Sequence, residues 1–523
     1  MATKYVDHFT LSTPKDPGSG KFLISDQVRL ERFLILGTEG GSYYATERKL
    51  TVDNAECVKR LVSKDNTGLQ AVQTIVAVSD AGRAPKNDPA LLALAVAVKF
   101  GTPLVRSQAL LALPKVARIG THLFHFLDYC KALNVGWGRS FRRAIGNWYN
   151  EKPADKLAYG LVKYQSRDGW SNRDALRLAH PDPKTPEHQA LYHWVVKGEG
   201  EGKEWHSGSA VEIVAAFDAL KTITDVRQAV DLITRYRLPR EAVPTQFLNS
   251  PEVWTALLRD MKPEALIRNL GKLTSIGLTK PLSAETALVV DRLTNPELLR
   301  QARLHPLKVL TALLTYQQGH GTKGSLSWSV NPQIVDALNE AFYASFGFLE
   351  PTGKKTLKAI DVSQSMTWYM IAGVPGVTPR VASALLAMVT ARIEREHHFL
   401  GFSHTLVPLG ITSKQTLAEV VAKVGACPMG ATDVSLPMVW ALQNGIEVDT
   451  FEVFTDNETN CHRVAPATAL RQYRDKTGWD AKLVVVGMTA TQTSVADPDD
   501  PTMLDVVGFD TSAPDIIADF VRG

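Results

Sequence analysis

The apolar run Leu357-Lys358-Ala359-Ile360 ends in Asp361-Val362-Ser363-Gln364-Ser365. A buried strand ending there delivers a carboxylate and two hydroxyls to one point, at the edge where open α/β sheets hold ligands. Such hard oxygen donors, carrying little charge, suit Mg2+, and also Mn2+ or Ca2+, better than a soft or imidazole-seeking metal. Gly430-Ala431-Thr432-Asp433 offers a further hydroxyl, and Phe451-Glu452-Val453-Phe454-Thr455-Asp456 reads as a second strand with a carboxylate at its end. The pattern predicts a divalent cation touched directly by Ser363, Ser365 and Thr432, with Asp361 and Asp456 holding its waters. One position would stay open to an acidic oxygen from elsewhere. The alternative is a serine-rich turn capping a helix, a position Ser and Thr favour.

A second group of residues lies between 136 and 180. Arg139, Arg142 and Arg143 share one face if their segment is helical, as do Lys163 and Arg167, and again Arg173, Arg177 and His180. Ser171 followed by Asp174 has the spacing of a capping box that starts the last of these helices. Cations along one side of a helical array, with Trp137, Trp148, Tyr149, Tyr164 and Trp170 between them, could hold phosphates and stack unpaired bases. The alternative is a solvated basic face over an aromatic core. Trp137, Trp148 and Trp170 are assigned to that core, while Lys163, Arg167 and His180 fit either reading.

The elements that must position these residues differ along the chain. Residues 1–350 predict helix after helix, with few strand signals. Asp88-Pro89, Thr102-Pro103, Ser250-Pro251, Asn295-Pro296 and Asn331-Pro332 each place a capping residue before a proline at a helix start. Spacing is irregular, so an array of paired, HEAT-like helices is the economical reading. Pro351 to Lys355 forms a short link. Residues 351–523 then alternate strand-like runs (Leu357–Ile360, His398–Phe402, Phe451–Phe454, Leu483–Val486) with helical stretches such as Arg380–Glu394 and Ala465–Arg474, which predicts a doubly wound parallel sheet.

Charge divides the same way. The 523 residues carry a net charge of +4, but residues 1–350 hold 44 Lys/Arg against 35 Asp/Glu, and the remainder 14 against 19. A basic first part fits a polyanionic partner. No apolar run reaches the 18 or so residues of a membrane span, and Met1 to Asp7 has no apolar signal core. The four cysteines form no CxxC, so neither a zinc site nor a disulfide framework is predicted, and a reduced, cytoplasmic protein is expected. Gly198-Glu199-Gly200-Glu201-Gly202-Lys203 lacks the Ser/Thr of a phosphate-binding loop, and no HExxH or GxSxG occurs. His397-His398 is taken as structural. A binding protein rather than an enzyme is expected.

Several motifs together resemble the TROVE family, to which the Ro ribonucleoprotein autoantigens belong. They are Phe33-Leu34-Ile35-Leu36-Gly37 with Gly40-Gly41-Ser42-Tyr43-Tyr44-Ala45, then Gly136-Trp137-Gly138-Arg139-Ser140, Gly169-Trp170-Ser171 and Leu176-Arg177-Leu178-Ala179-His180. Ala265-Leu266-Ile267-Arg268-Asn269-Leu270-Gly271-Lys272, His305-Pro306, Gly319-His320-Gly321, Phe454-Thr455-Asp456-Asn457-Glu458-Thr459 and Ala496-Asp497-Pro498-Asp499-Asp500 follow. The likeness runs over essentially the whole chain and points to a bacterial or phage member. It implies a ring of HEAT-like repeats over 1–350, closed by a von Willebrand factor A-like domain over 351–523. It implies binding of small noncoding Y RNAs on the outer basic surface, and of misfolded noncoding RNAs whose single-stranded 3′ ends enter the ring. Lys163, Arg167 and His180 match family residues used for RNA, and the metal set falls on Ser363, Ser365, Thr432, Asp361 and Asp456. The family is associated with a separate exoribonuclease, tethered through Y RNA, and a ring closed within one chain implies a monomer. Asn172 stands where animal members carry histidine, and the chain departs from the family pattern in having Gly430-Ala431 for a Gly-Gly before Thr432 and Gln364 for a small residue between the two serines. The competing function is a helical scaffold with a metal-dependent protein-binding module and no RNA. A nuclease is disfavoured, since one ion held by hydroxyls is not a two-metal carboxylate cluster.

Overall fold

The computed structural model describes residues 24–39, 42–45, 50, 52–84, 86–198, 208–302, 304–321, 324–371, 376–403, 405–428, 433–456, 464–489, 497 and 500–523. These residues fall into two compact units: those of 50–292 with 326–333, and those of 1–49, 293–325 and 334–523. They include nine strands: β1 (Ser42–Tyr44), β2 (Ser166–Arg167), β3 (Trp170–Ser171), β4 (Thr356–Asp361), β5 (His397–Phe402), β6 (Leu406–Pro408), β7 (Thr450–Thr455), β8 (Lys482–Gly487) and β9 (Met503–Val507).

The first unit is an irregular helical array. The helix Asp88–Phe100 is apolar almost throughout and buries every residue from Pro89 to Val98, as a helix surrounded on all sides must. Around it pack Pro103–Val116 and Gly120–Ala132, and Pro103–Val116 in turn meets Arg139–Asn150. The predicted starts are real. Thr102 Oγ1 accepts from Val105 N at 3.2 Å and Ser250 Oγ from Val253 N at 3.3 Å. Asn295 and Asn331 cap their helices through Oδ1, each at 3.0 Å from the amide two residues on. Asp88 differs: it is the first helical residue, and Asn87 occupies the cap.

The second unit carries a seven-stranded sheet in the order β1-β9-β8-β7-β4-β5-β6, parallel except for β5 with β6. All four predicted strands are present, as β4, β5, β7 and β8. Every residue of β4 and β7 is buried, which explains their unbroken apolar runs. Leu357, Ala359, Phe451, Val453, Leu470 and Tyr473 build the core on one face. Lys358 and Glu452 are register partners and form a buried ion pair, the one way such a lysine can sit between apolar neighbours. Among the described residues the first part is nearly strand-free as expected, and of its three short strands β1 pairs its three residues with Asp505–Val507 of β9. Arg32 adds a 2.8 Å hydrogen bond to the Asp500 carbonyl. A three-residue edge strand is too short to leave a periodic signal. The neighbours of β4 are β5 on one side and β7 on the other, so the winding reverses there, and the loop after β4 opens into the crevice that such a reversal creates.

Candidate nucleic-acid interface and metal centre

The helix Arg139–Asn150 is strongly amphipathic. Phe141, Ala144, Ile145, Trp148 and Tyr149 are buried, while Arg139, Arg142 and Arg143 are exposed. The helix Asn172–Ala179 starts at the predicted capping box, with Ser171 and Asp174 bonded reciprocally. Arg173 and Arg177 stand exposed on it, and His180 is its left-handed C-cap at φ 47°. Among the described residues, Arg167 is the member of this cationic group that meets a carboxylate, Asp168 at 3.7 Å. The i,i+4 like-charge pairs Arg139/Arg143 and Arg173/Arg177 each cost their helix about 0.2–0.5 kcal/mol, a repulsion that a bound phosphate chain would relieve.

One expectation fails in its geometry. Lys163 and Arg167 do not share a helix: Lys163 ends the helix Ala154–Lys163, and Arg167 lies in β2. The chain turns because Asp168 and Gly169 both take left-handed backbone, at φ 51° and 74°, the two-residue hairpin for which Asp-Gly is a strong signal. Lys163 is half-buried against Tyr159 and Tyr164, with its ammonium 5.8 and 5.5 Å from their rings. Arg167 is exposed. The core assignment holds for Trp148, which is 3% exposed and donates to the Ala117 carbonyl. It does not hold for Trp137 and Trp170, which are half-buried beside a cavity.

His125 lies beside the hairpin turn, hydrogen-bonded to Asp88 and within ion-pair distance of Asp168. Its Nδ1 is 2.5 Å from Asp88 Oδ1 and its Nε2 is 3.4 Å from Asp168 Oδ2. The Asp88 hydrogen bond raises the His125 pKa against the opposing effect of burial. Burial works to raise the Asp88 carboxyl, but the hydrogen bond and charge of His125 outweigh it and hold the pKa below its usual value.

At the end of β4, Asp361 is fully buried. Its Oδ1 accepts from Ser363 N at 2.8 Å and its Oδ2 from Thr455 Oγ1 at 2.8 Å. That first bond folds the loop back, setting Ser363 Oγ and Ser365 Oγ 2.9 Å apart. Asp456 follows β7 and is 8% exposed. Burial raises the Asp361 pKa, the Ser363 and Thr455 hydrogen bonds oppose this, and the nearby Asp456 charge raises it further. Two buried carboxylates that repel each other, beside two hydroxyls, form a donor set that a hard divalent cation fits. Thr432 lies outside the described residues. Asp433, next to it, is turned to another task, accepting from Ser435 N at 2.9 Å and Oγ at 2.6 Å. Arg380 was not anticipated: its Nη2 donates to the Ser363 carbonyl at 3.1 Å and steadies the loop.

Two family models match the chain, the TROVE domain over residues 13–315 and the Ro60 vWA domain over residues 355–521. The chain is 43% identical to the RNA-binding protein RO60 of Deinococcus radiodurans over 508 residues, covering 97% of this chain and 94% of that one. The chain belongs to the TROVE-domain Ro60 family. A second relative, the RNA-binding protein RO60 of Caenorhabditis elegans, is 34% identical over 579 residues, covering 97% of this chain and 89% of its own. The crystal structure of the Deinococcus radiodurans RO (RSR) protein superposes with a TM-score of 0.90, covering 95% of this chain and all of that one. The resemblance carried by the motifs is thereby confirmed, as is the pairing of a helical region with a von Willebrand factor A-like domain. Among the described residues, no helix is long and apolar enough to cross a membrane.

What the residue patterns missed in this Ro60 relative is the hairpin and its support. Asp168-Gly169 between Arg167 and Trp170 is a hairpin signal legible in advance. The approach of His125, some 40 residues upstream, and of Asp88, some 80 upstream, leaves no local trace.

Proposed function

We propose that this protein binds RNA through the basic face formed by Arg139, Arg142, Arg143, Lys163, Arg167, Arg173, Arg177 and His180. Its ligands are small noncoding Y RNAs and the single-stranded 3′ ends of misfolded noncoding RNAs, and its role is RNA quality control. Degradation falls to a separate exoribonuclease tethered through the Y RNA, and the protein acts as a cytoplasmic monomer without catalysis of its own. The supporting observation is a set of exposed arginines on adjoining elements, five of them with no carboxylate partner among the described residues, in a chain whose relatives are named RNA-binding proteins. Purified protein should carry small structured RNAs, read by sequencing what copurifies. Material free of nucleic acid that also fails to shift an added oligoribonucleotide at physiological salt would overturn the proposal.

The α/β unit belongs to the same proposal as a metal-binding module. Ser363, Ser365 and Thr432 would contact a divalent cation, Mg2+ by the hardness of the donors, with Asp361 and Asp456 acting through water. Bound there, the ion would supply positive charge against the buried carboxylates and one open position for an acidic oxygen. Trp368, Tyr369 and Met370, which follow this loop, are 64, 63 and 60% exposed, an apolar run of the kind that marks a protein contact. They favour a second reading, in which this unit recruits a protein partner while the helical unit holds RNA. Asp361→Ala should then release that partner and leave RNA affinity unchanged.

A further inference from the structure

The half-buried indoles of Trp137 and Trp170 wall a cavity of about 520 Å3, together with Phe141 and Leu178. It lies where the end of the helix Gly120–Ala132, the start of Arg139–Asn150, the β2–β3 turn and Asn172–Ala179 converge. The Trp137 and Phe141 rings meet edge to face, 5.0 Å between centroids and 81° between planes, and the two indoles lie 6.2 Å apart at 41°. A half-buried indole in an aromatic wall beside open space is an unfinished stack.

The polar groups in this cavity are few and specific. Asp174 Oδ2 is committed to the cap, accepting from Ser171 N at 3.0 Å and Oγ at 2.5 Å. Its other oxygen has no partner among the described residues and remains an acceptor. The Asn134 side chain, on left-handed backbone at φ 53°, offers a donor and an acceptor, and Lys131 is the one cation of the lining among the described residues. A carboxylate inside the cavity argues against a phosphate there. The exposed cations belong to the surround: Arg139 and Arg142 follow Trp137 on one helix, and Arg173 and Arg177 flank Asp174 on another.

We infer that this cavity receives one unpaired nucleobase of a single-stranded RNA, stacked on indole and read along its N–H edge by Asp174 and Asn134, while the surrounding arginines hold the flanking phosphates. The inference rests on the RNA-binding reading and sharpens it. A flat group with apolar faces and a hydrogen-bonding edge suits aromatic walls with one acceptor. Exposed cations on both helices that line the cavity suit a chain with phosphates beyond the bound base rather than a lone nucleotide.

The test uses the full-length protein and a single-stranded oligoribonucleotide in which each position in turn is made abasic. In the wild type, one abasic position should weaken binding about tenfold, the order of one base–aromatic stack. Trp170→Ala, which removes a wall, and Leu178→Trp, which fills the cavity from a partly exposed site, should weaken the intact oligonucleotide by a similar factor. Both should become insensitive to the abasic position, as two perturbations of one interaction must. Melting curves establish that the variants fold, and Leu178→Trp removes no core atoms. Wild-type indifference to every abasic position, or equal losses by the variants on intact and abasic strands, would overturn the inference and leave RNA binding standing. Binding of adenosine monophosphate as tightly as the oligonucleotide would overturn the assignment to a chain. Failure of the wild type to bind any of the strands would instead overturn the RNA reading itself.

Discussion

In the helical unit, Arg139, Arg142, Arg143, Arg173 and Arg177 stand in water on adjoining elements and meet no carboxylate among the described residues. In the α/β unit, Asp361 and Asp456 sit buried at the ends of neighbouring strands, where burial, and after it the Asp456 charge, raises the Asp361 pKa. The two regions carry charge of opposite sign in opposite surroundings. The exposed cations lose little by standing apart, since water screens them, and they suit a flexible polyanion whose affinity depends on salt. The buried carboxylates are not screened in that way; Asp361 is held at fixed geometry by Ser363 N and Thr455 Oγ1. The proposed partners differ accordingly: nucleic acid at the surface, and a metal ion in the sheet crevice.

The comparison is broken most severely by removing what holds the arginine face in place. Trp148→Ala deletes a fully packed ring and its hydrogen bond to Ala117, and should cost about 3–5 kcal/mol in denaturant unfolding; a loss below 1 kcal/mol would mean the helix Arg139–Asn150 is not anchored there. On the metal side, Mg2+ at a hundred times its dissociation constant should stabilise the wild type by about 2.7 kcal/mol. Asp361→Ala should abolish that gain in a thermal shift assay, and an equal Mg2+ response in both proteins would remove the loop after β4 from the site.

Smaller effects sharpen the contrast. Lys163→Ala/Arg167→Ala should lower the slope of log affinity against log salt by about 0.7 for each single-strand phosphate that these side chains neutralise. An unchanged slope would return these two residues to the solvated-face reading. The smallest effect concerns pH. His125 has a folded pKa above its unfolded value near 6.5, so its stabilising contribution is complete below that unfolded value and disappears as pH rises through the folded one. The stability difference between wild type and His125→Asn should accordingly be larger at pH 5.5 than at pH 9. His122, held down at about 4 by burial and by Arg118, stays neutral across that window. A difference that grows with pH would contradict the His125 geometry.

How far the sequence reached depended on how local each feature is. Asp361, Ser363 and Ser365 lie within five residues on a strand end, so their meeting point follows from the strand alone. The helix starts at Thr102, Ser250, Asn295 and Asn331 were equally legible, because a cap and a following proline act within one turn. Lys163 and Arg167 were placed wrongly because helical spacing was assumed across a segment that Asp168-Gly169 bends into a hairpin. Trp137, Trp148 and Trp170 look alike as letters, and burial separates them only through partners on other helices. Pairing of β1 with β9 joins residues more than 450 positions apart, and no window along the chain contains both.

The central claim, that the cationic face of the helical unit grips RNA independently of the metal loop, is tested most directly by a salt titration of oligoribonucleotide affinity. The wild type, Asp361→Ala and Arg139→Ala/Arg142→Ala/Arg143→Ala should be measured side by side. The account predicts that Asp361→Ala follows the wild type, while the triple variant binds more weakly with a slope about 2 units shallower, three phosphates at about 0.7 each. A triple variant that tracks the wild type, or an Asp361→Ala protein that loses RNA, would contradict it.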